Sequence, residues 1–488
     1  MRRAIVLLIL VVFAGNLRAG EPPGVAEPGF VPTELYRYET LTLPNGFRVV
    51  LNPRQVSRSV SFRLVVDVGL LDFECRDREL PHLAEHLMFG GPGDLTESDL
   101  DAMVNALGGE WNAYTHSWKT EYQLDIYSGH ALEGLDILYR MFTGTEVTSQ
   151  KLDSARGVLN AESGGEAGLV RDLLYRWGFG DGAVGESYRR FVPESRAFCA
   201  HVPQTGHFTV ADLDDFLRTH YQPHAMLLVA VGDFDPAALR AGLEAGFGAI
   251  PSTGAGQPPR AQPALAAVAK RYRTSLNPLL GNTAHVTIDL MVGYPEPLSE
   301  DLFALQQIAD HLDARLYEEI RVNRGLAYTP MASLVDQGDF MTLLLEAEVD
   351  PSRTDEVVGI MRDVVTEVAT AGIDAESLAA QRQGTLYRLA ANLDRNASFS
   401  GIYVDLSRQL ARGERVPDIE AAISAYTADE MRERAAEWLS LDRALVYEAA
   451  PTLTYPALGW MLVLATAAGG AAGWRIALRR RARRRGHD

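Results

Sequence analysis

The chain has 488 residues, 47% of them hydrophobic and 23% charged, which is ample for two or more domains with cores of their own. Its formal net charge is −18, and the two ends are basic: +3 over residues 1–20, and +6 over residues 475–488 with their seven arginines and Asp488. The body between them is therefore more acidic than the whole, which argues against a nucleic-acid partner.

Arg2-Arg3, an apolar run over residues 4–14 and the small pair Ala19-Gly20 have the layout of a secretory signal peptide over residues 1–20. A Pro/Gly-rich lead follows, and β-branched runs predict strands over 47–51 and 61–70. Leu80 to Phe89 reads as a helix, and within it Pro81-His82-Leu83-Ala84-Glu85-His86 spells H-x-x-E-H. Residues i and i+4 share a helical face, so His82 and His86 can offer two imidazoles to one metal ion, with Glu85 beside them. This is the reversed form of the H-E-x-x-H zinc helix. A catalytic zinc takes three protein ligands and a water, whose pKa falls to about 7 on the metal, where a neighbouring carboxylate can take its proton.

Further along, a helix is expected over 97–107, a strand pair over 110–115 and 120–127, helices over 131–142 and 149–161, and a strand over 226–231. Pro251, Pro258, Pro259 and Pro263, with Gly254 and Gly256 among them, mark a linker over 251–275. The second half repeats the order in weaker form: strand 285–292, helix 302–321, strand 340–348, helices 355–371 and 375–393, and strand 444–448. Two halves of similar length and element order predict a duplication. The second half has no H-x-x-E-H, and its His311 reads as a packing or surface residue. His220 and His224 are four apart, but Pro223 breaks any helix between them.

Residues 455–474 carry no charge, and at 1.5 Å per residue they reach about 30 Å, the thickness of a bilayer core. The basic tail 475–488 follows at once. Positive charge stays cytoplasmic, so a single-pass transmembrane helix is expected in the inner (cytoplasmic) membrane, with the body on the periplasmic side. Cys75 and Cys199 suit an exported protein with at most one disulfide; two separate buried thiols fit the sequence equally well.

A third ligand is available far along the chain. Glu162 lies 76 residues after His86, in the segment Arg156-Gly157-Val158-Leu159-Asn160-Ala161-Glu162. With this spacing the chain resembles the pitrilysin/insulinase family of inverted zinc metallopeptidases, and is similar to the mitochondrial processing peptidase type. Leu43-Pro44-Asn45-Gly46, Asn112-Ala113-Tyr114-Thr115, the stretch from Tyr221 to Pro223, and Arg321 with Tyr328 seven residues on also match that family, which extends the resemblance over roughly residues 36–450.

The resemblance implies an α+β fold of two related halves, each a mostly antiparallel sheet backed by helices. A zinc-binding peptidase domain would cover 36–250 and a second peptidase-family domain 276–450, with the C-terminal transmembrane helix beyond. It implies Zn²⁺ held by His82, His86 and Glu162, with Glu85 activating the metal-bound water for endopeptidase cleavage of unfolded or short peptides. Arg321 and Tyr328 would reach across from the second half to stabilise the oxyanion, and Asn112, Ala113, Tyr114 and Thr115 would form the edge that receives the peptide. A homodimer, or pairing with a related subunit, is a further expectation. The other reading is an inactive family member that serves as a binding or assembly subunit for an active partner. One residue departs from the family: where it often has a second glutamate, seven residues before the ligand glutamate, this chain has Ala155.

Overall fold

Along the strands of the first half, Val49, Leu51, Val60, Phe62, Leu64 and Val66 turn to one side and Val50 and Val65 to the other, and all are buried. Such period-two burial on both faces makes a sheet that is covered twice. The structure, a computed structural model, describes residues 30–485 apart from 94, 163–167, 178–184, 186–187, 190–191, 200, 203, 253–263, 268 and 275–279. The signal segment 1–20 and most of the expected linker lie outside the described residues.

Eleven strands among the described residues form two sheets. The first contains β1 (Glu39–Thr42), β2 (Arg48–Pro53), β3 (Ser59–Val66), β4 (Glu110–Thr115), β5 (Thr120–Tyr127) and β6 (Met226–Gly232), in the order β1-β2-β6-β3-β5-β4. The second contains β7 (Lys270–Thr274), β8 (Ala284–Val292), β9 (Met331–Asp336), β10 (Met341–Val349) and β11 (Ala444–Ala449), in the order β7-β11-β8-β10-β9. Without β1 the two orders correspond strand for strand. Each has one parallel pair, β2 with β6 and β7 with β11, and is otherwise antiparallel. The duplication is thus written in the topology, and the fold is mixed α+β. The stretch expected as linker ends in a strand: β7 supplies the parallel neighbour that β11 needs.

The halves exchange coverings. Helices of the first half, including Leu80–Phe89, Ala131–Gly144 and Ser149–Glu162, bury one face of its sheet with Leu83, Leu87, Leu138 and Leu159. The opposite face, with Val50, Val65, Leu227, Val229 and Val231, packs instead on Phe399, Tyr403, Val404 and Leu410 of the second half. Polar contacts fix this join: Asn52 Nδ2 donates to the Tyr403 hydroxyl at 2.6 Å, and the Ser61 and Ser400 hydroxyls meet at 2.9 Å. In return Tyr188 and Val192 of the first half cover Met291, Phe340 and Leu445 of the second sheet. The Tyr188 hydroxyl donates to buried Asp289 at 2.6 Å.

Cys75 and Cys199 form a disulfide, with Cα atoms 5.4 Å apart, which settles the alternative the sequence left open. It ties the loop before the H-x-x-E-H helix to the segment that lies on the second half. The C-terminal helix Tyr455–Arg485 contains a stretch, Tyr455–Ala477, long and apolar enough to cross a membrane, and none of it is buried against the body.

Candidate metal centre

The H-x-x-E-H segment forms the helix Leu80–Phe89, with Pro81 in its first turn, where a missing N–H costs nothing. Its apolar residues Leu83, Ala84, Leu87 and Met88 are fully buried against the sheet. That burial fixes the rotation of the helix and turns His82 and His86 to the remaining side. Phe89 packs on Trp111 of β4, ring centroids 4.3 Å apart, and seats the helix against the edge of the sheet. The helix Ser149–Glu162 lies alongside, anchored by Leu152, Ala155 and Leu159, and ends with Glu162 beside the two imidazoles.

The three expected ligands converge. Their ligating atoms lie within 4.8 Å of one another, with Glu162 Oε2 3.5 Å from His82 Nε2 and 3.3 Å from His86 Nε2. His86 Nε2 is buried and makes no hydrogen bond. An orphaned buried imidazole nitrogen is costly unless something takes its lone pair. Two imidazoles and one carboxylate are a donor set suited to Zn²⁺ with an open coordination position. These residues therefore fit a zinc ion.

Glu85 is 5% exposed and accepts a hydrogen bond from the Thr115 hydroxyl at 2.6 Å. Behind it the hydroxyls of Tyr122 and Tyr221 meet at 2.8 Å. Burial first, then the neighbouring hydroxyl and the Glu85 charge, push the Tyr122 phenol well above its ordinary range, and burial does the same to Tyr221. Both stay neutral beside the carboxylate. His82 is held from its other nitrogen: Nδ1 lies 3.2 Å from Glu79 Oε2. Burial pulls its pKa down, but the Glu79 bond and the charges of Glu85, Glu79 and Glu162 outweigh that, and the imidazole stands above 6.5. The site has an excess of carboxylates, a field that favours a cation.

The other expected residues fall in two groups. Asn112, Ala113, Tyr114 and Thr115 lie on β4, the outermost strand of its sheet, with Thr115 at the Glu85 end. Arg321 and Tyr328 are far from isolated: Arg321 Nη1 donates to the Tyr328 carbonyl at 2.9 Å, and its guanidinium lies 3.9 Å over the Tyr328 ring, which is itself 75% exposed. They line a cleft of about 650 Å³ in the second half with Tyr317, Leu326 and Glu348. Among the described residues, no hydrogen bond, ion pair or ring contact joins this pair to His82, Glu85, His86 or Glu162. Sequence reasoning did not single out Glu79. Its signal was present, a carboxylate three residues before the first histidine and therefore on the same helical face.

Known proteins are similar to this chain in sequence and in fold. The sequence profile described as insulinase, peptidase family M16, matches residues 48–186, and that of the peptidase M16 inactive domain matches residues 207–385. An uncharacterized zinc protease of Streptomyces coelicolor is 27% identical over 410 residues, 80% of this chain and 85% of that protein. Among solved structures, a protease from Helicobacter pylori is similar in fold, with a TM-score of 0.69, 17% identity, and 85% of this chain and 99% of that one covered. The periplasmic protease PqqL from Escherichia coli gives a TM-score of 0.70 at 18% identity, with 91% of this chain matching 49% of that one.

Proposed function

The chain belongs to the insulinase family of peptidases, peptidase family M16, and from that premise we propose that it is a zinc-dependent metalloendopeptidase acting on unfolded or short peptides. The observation that carries this reading is the convergence of His82, His86 and Glu162 with the buried Glu85 carboxylate at the same helix. Zinc, when bound, supplies a Lewis acid for the substrate carbonyl and makes a water acidic enough to lose its proton near neutral pH. Glu85 has one oxygen held by Thr115, so its other oxygen takes the proton of the attacking water and passes it to the leaving amine.

Among the described strands β4 is the edge of its sheet along Asn112 to Thr115, and an extended peptide adds there as a further strand. That mode needs an unfolded backbone, which favours flexible segments over compact proteins. The Arg321 guanidinium and the Tyr328 phenol are suitable donors for a developing oxyanion. Among the described residues no hydrogen bond, ion pair or ring contact joins them to the trio, and one chain matches about half of PqqL. A second copy, or a related chain, therefore closes over the first and presents this pair to the substrate. The helix Tyr455–Ala477 has 23 residues, about 35 Å, and is followed by the arginine-rich end, which supports a single span of the cytoplasmic membrane with the body on the periplasmic side.

Metal analysis and a peptide-library digest of the purified full-length chain test this. Wild type is expected to hold zinc and cut peptides. Glu85→Gln keeps the metal and loses about 10²–10⁴-fold in rate. His82→Ala loses both. Wild-type activity in Glu85→Gln would sink the mechanism.

A further inference from the structure

We infer that Glu79 is a positioning residue of the metal centre, one that orients the His82 imidazole from behind. The inference rests on the zinc reading above. Its geometry begins at His82, whose Nδ1 lies 3.2 Å from Glu79 Oε2. An Nδ1–H donated to that carboxylate fixes the tautomer. It leaves the Nε2 lone pair facing His86 and Glu162, the direction a metal needs. A carboxylate behind a ligating imidazole also raises its basicity and stops its ring from turning.

No other carboxylate among the described residues is placed for this. Position 155 is an alanine, 4% exposed and packed in the core of the first half. Asp153, two residues before it and so on another face of the helix, is spent on an exposed ion pair with Arg156 at 2.8 Å. Glu79 itself is held in place from both sides. Its carbonyl accepts the Leu83 N–H at 2.8 Å, which starts the helix. Just before it, the buried Arg78 guanidinium donates to the carbonyls of Ala197, at 2.9 Å, and Arg196. Three residues further back, Cys75 is bonded to Cys199. The Arg196 N–H and the Ser195 hydroxyl in turn bind Asp339 of the second half, at 2.9 and 2.8 Å. A continuous set of contacts thus runs from the second half through residues 195–199 to the segment that aims Glu79 at His82.

The test is zinc affinity, measured on the full-length chain in detergent by competition with a chromophoric chelator. Glu79→Ala is expected to bind zinc about 10–100-fold more weakly than wild type. Glu79→Gln, which keeps an acceptor but no charge, falls between the two. The metal-free thermal midpoints of all three are expected to coincide. Glu79→Ala binding zinc within threefold of wild type would overturn the inference. So would a loss of metal-free stability with unchanged affinity, because that is what a purely structural role produces. If Glu79→Ala does not fold, Glu79→Gln decides, with wild-type affinity as the refuting result. A wild-type chain that binds no zinc removes the metal-centre reading itself. A wild type that binds zinc and cuts peptides beside an unaffected Glu79→Ala removes only this inference.

Discussion

Replacing both cysteines, Cys75→Ser with Cys199→Ser, removes a cross-link that spans 124 residues of chain. In the loop-entropy picture the bond restricts the unfolded state by about 16 cal/mol/K for a loop of that size, or about 5 kcal/mol at 25 °C. Measured values run lower, so a loss of about 2–5 kcal/mol is expected. A folded body of roughly 420 residues unfolds with an entropy near 0.9 kcal/mol/K, which converts that loss into a fall of about 2–6 °C in thermal midpoint. The assay is a thermal melt of the oxidised wild type against the double variant, followed by near-UV circular dichroism, with a reduced wild type as a third arm. The reduced wild type and the variant are expected to melt together. A variant that melts within about 1 °C of the oxidised wild type would refute the reasoning. So would a reduced wild type that keeps the oxidised midpoint.

Further expectations concern other parts of the molecule. Burial raises the Asp289 carboxyl from 3.8 to about 6 against the opposing Tyr188 bond, so its neutral form stabilises the fold fully below pH 3.8 and that contribution is lost as pH rises through 6. Above pH 6 the ionised group costs up to about 3 kcal/mol, so Asp289→Asn should raise the thermal midpoint at pH 7.5 and leave it unchanged near pH 4; an equal shift at both would contradict this. Thr115→Val removes the hydroxyl that holds Glu85, and kcat should drop about 10–100-fold with zinc content intact, whereas a change confined to KM would place Thr115 in binding alone. Protease shaving of spheroplasts that carry a C-terminal tag should digest the body and spare a tagged fragment of a few kilodaltons; a protected body would reverse the topology.

The motif helix and the strands β4 and β5 were legible because each owes its form to local pattern, whereas Glu162 was reached through its distant spacing and the family resemblance. The H-x-x-E-H spacing, the apolar stripe Leu83, Leu87, Met88 and the alternation along residues 120–127 can be read without knowing what they pack against. The region 396–443, which folds into helices at Asn396–Asp405, Ser407–Ala411, Ile419–Ile423 and Ala428–Trp438, gave no such signal. Phe399, Tyr403 and Val404 answer to the sheet of the other half, so the reason for their pattern lies several hundred residues away, while Met431, Ala435 and Trp438 pack in the core of their own half. The helix expected over 302–321 is α-helical only at Glu300–Leu316 and widens into a π-helical turn at Tyr317–Val322, which carries Arg321. Nothing in residue type announces such a turn. The pairing of Cys75 with Cys199 was equally beyond a sequence that could only count two thiols.

The exchange of coverings between the halves has a historical consequence. A duplicated unit that kept its own helices on both faces of its sheet could later be separated again, as two genes or two freely moving modules. Here Val50, Val229 and Val231 of one sheet rest on Phe399 and Tyr403, and Met291 and Phe340 of the other rest on Tyr188 and Val192. A gene split between the halves would yield two polypeptides, each with a bare β face, soluble only in each other's company. The ancestral copies are thereby locked into joint inheritance, and either half can drift in sequence only as far as its neighbour's surface permits.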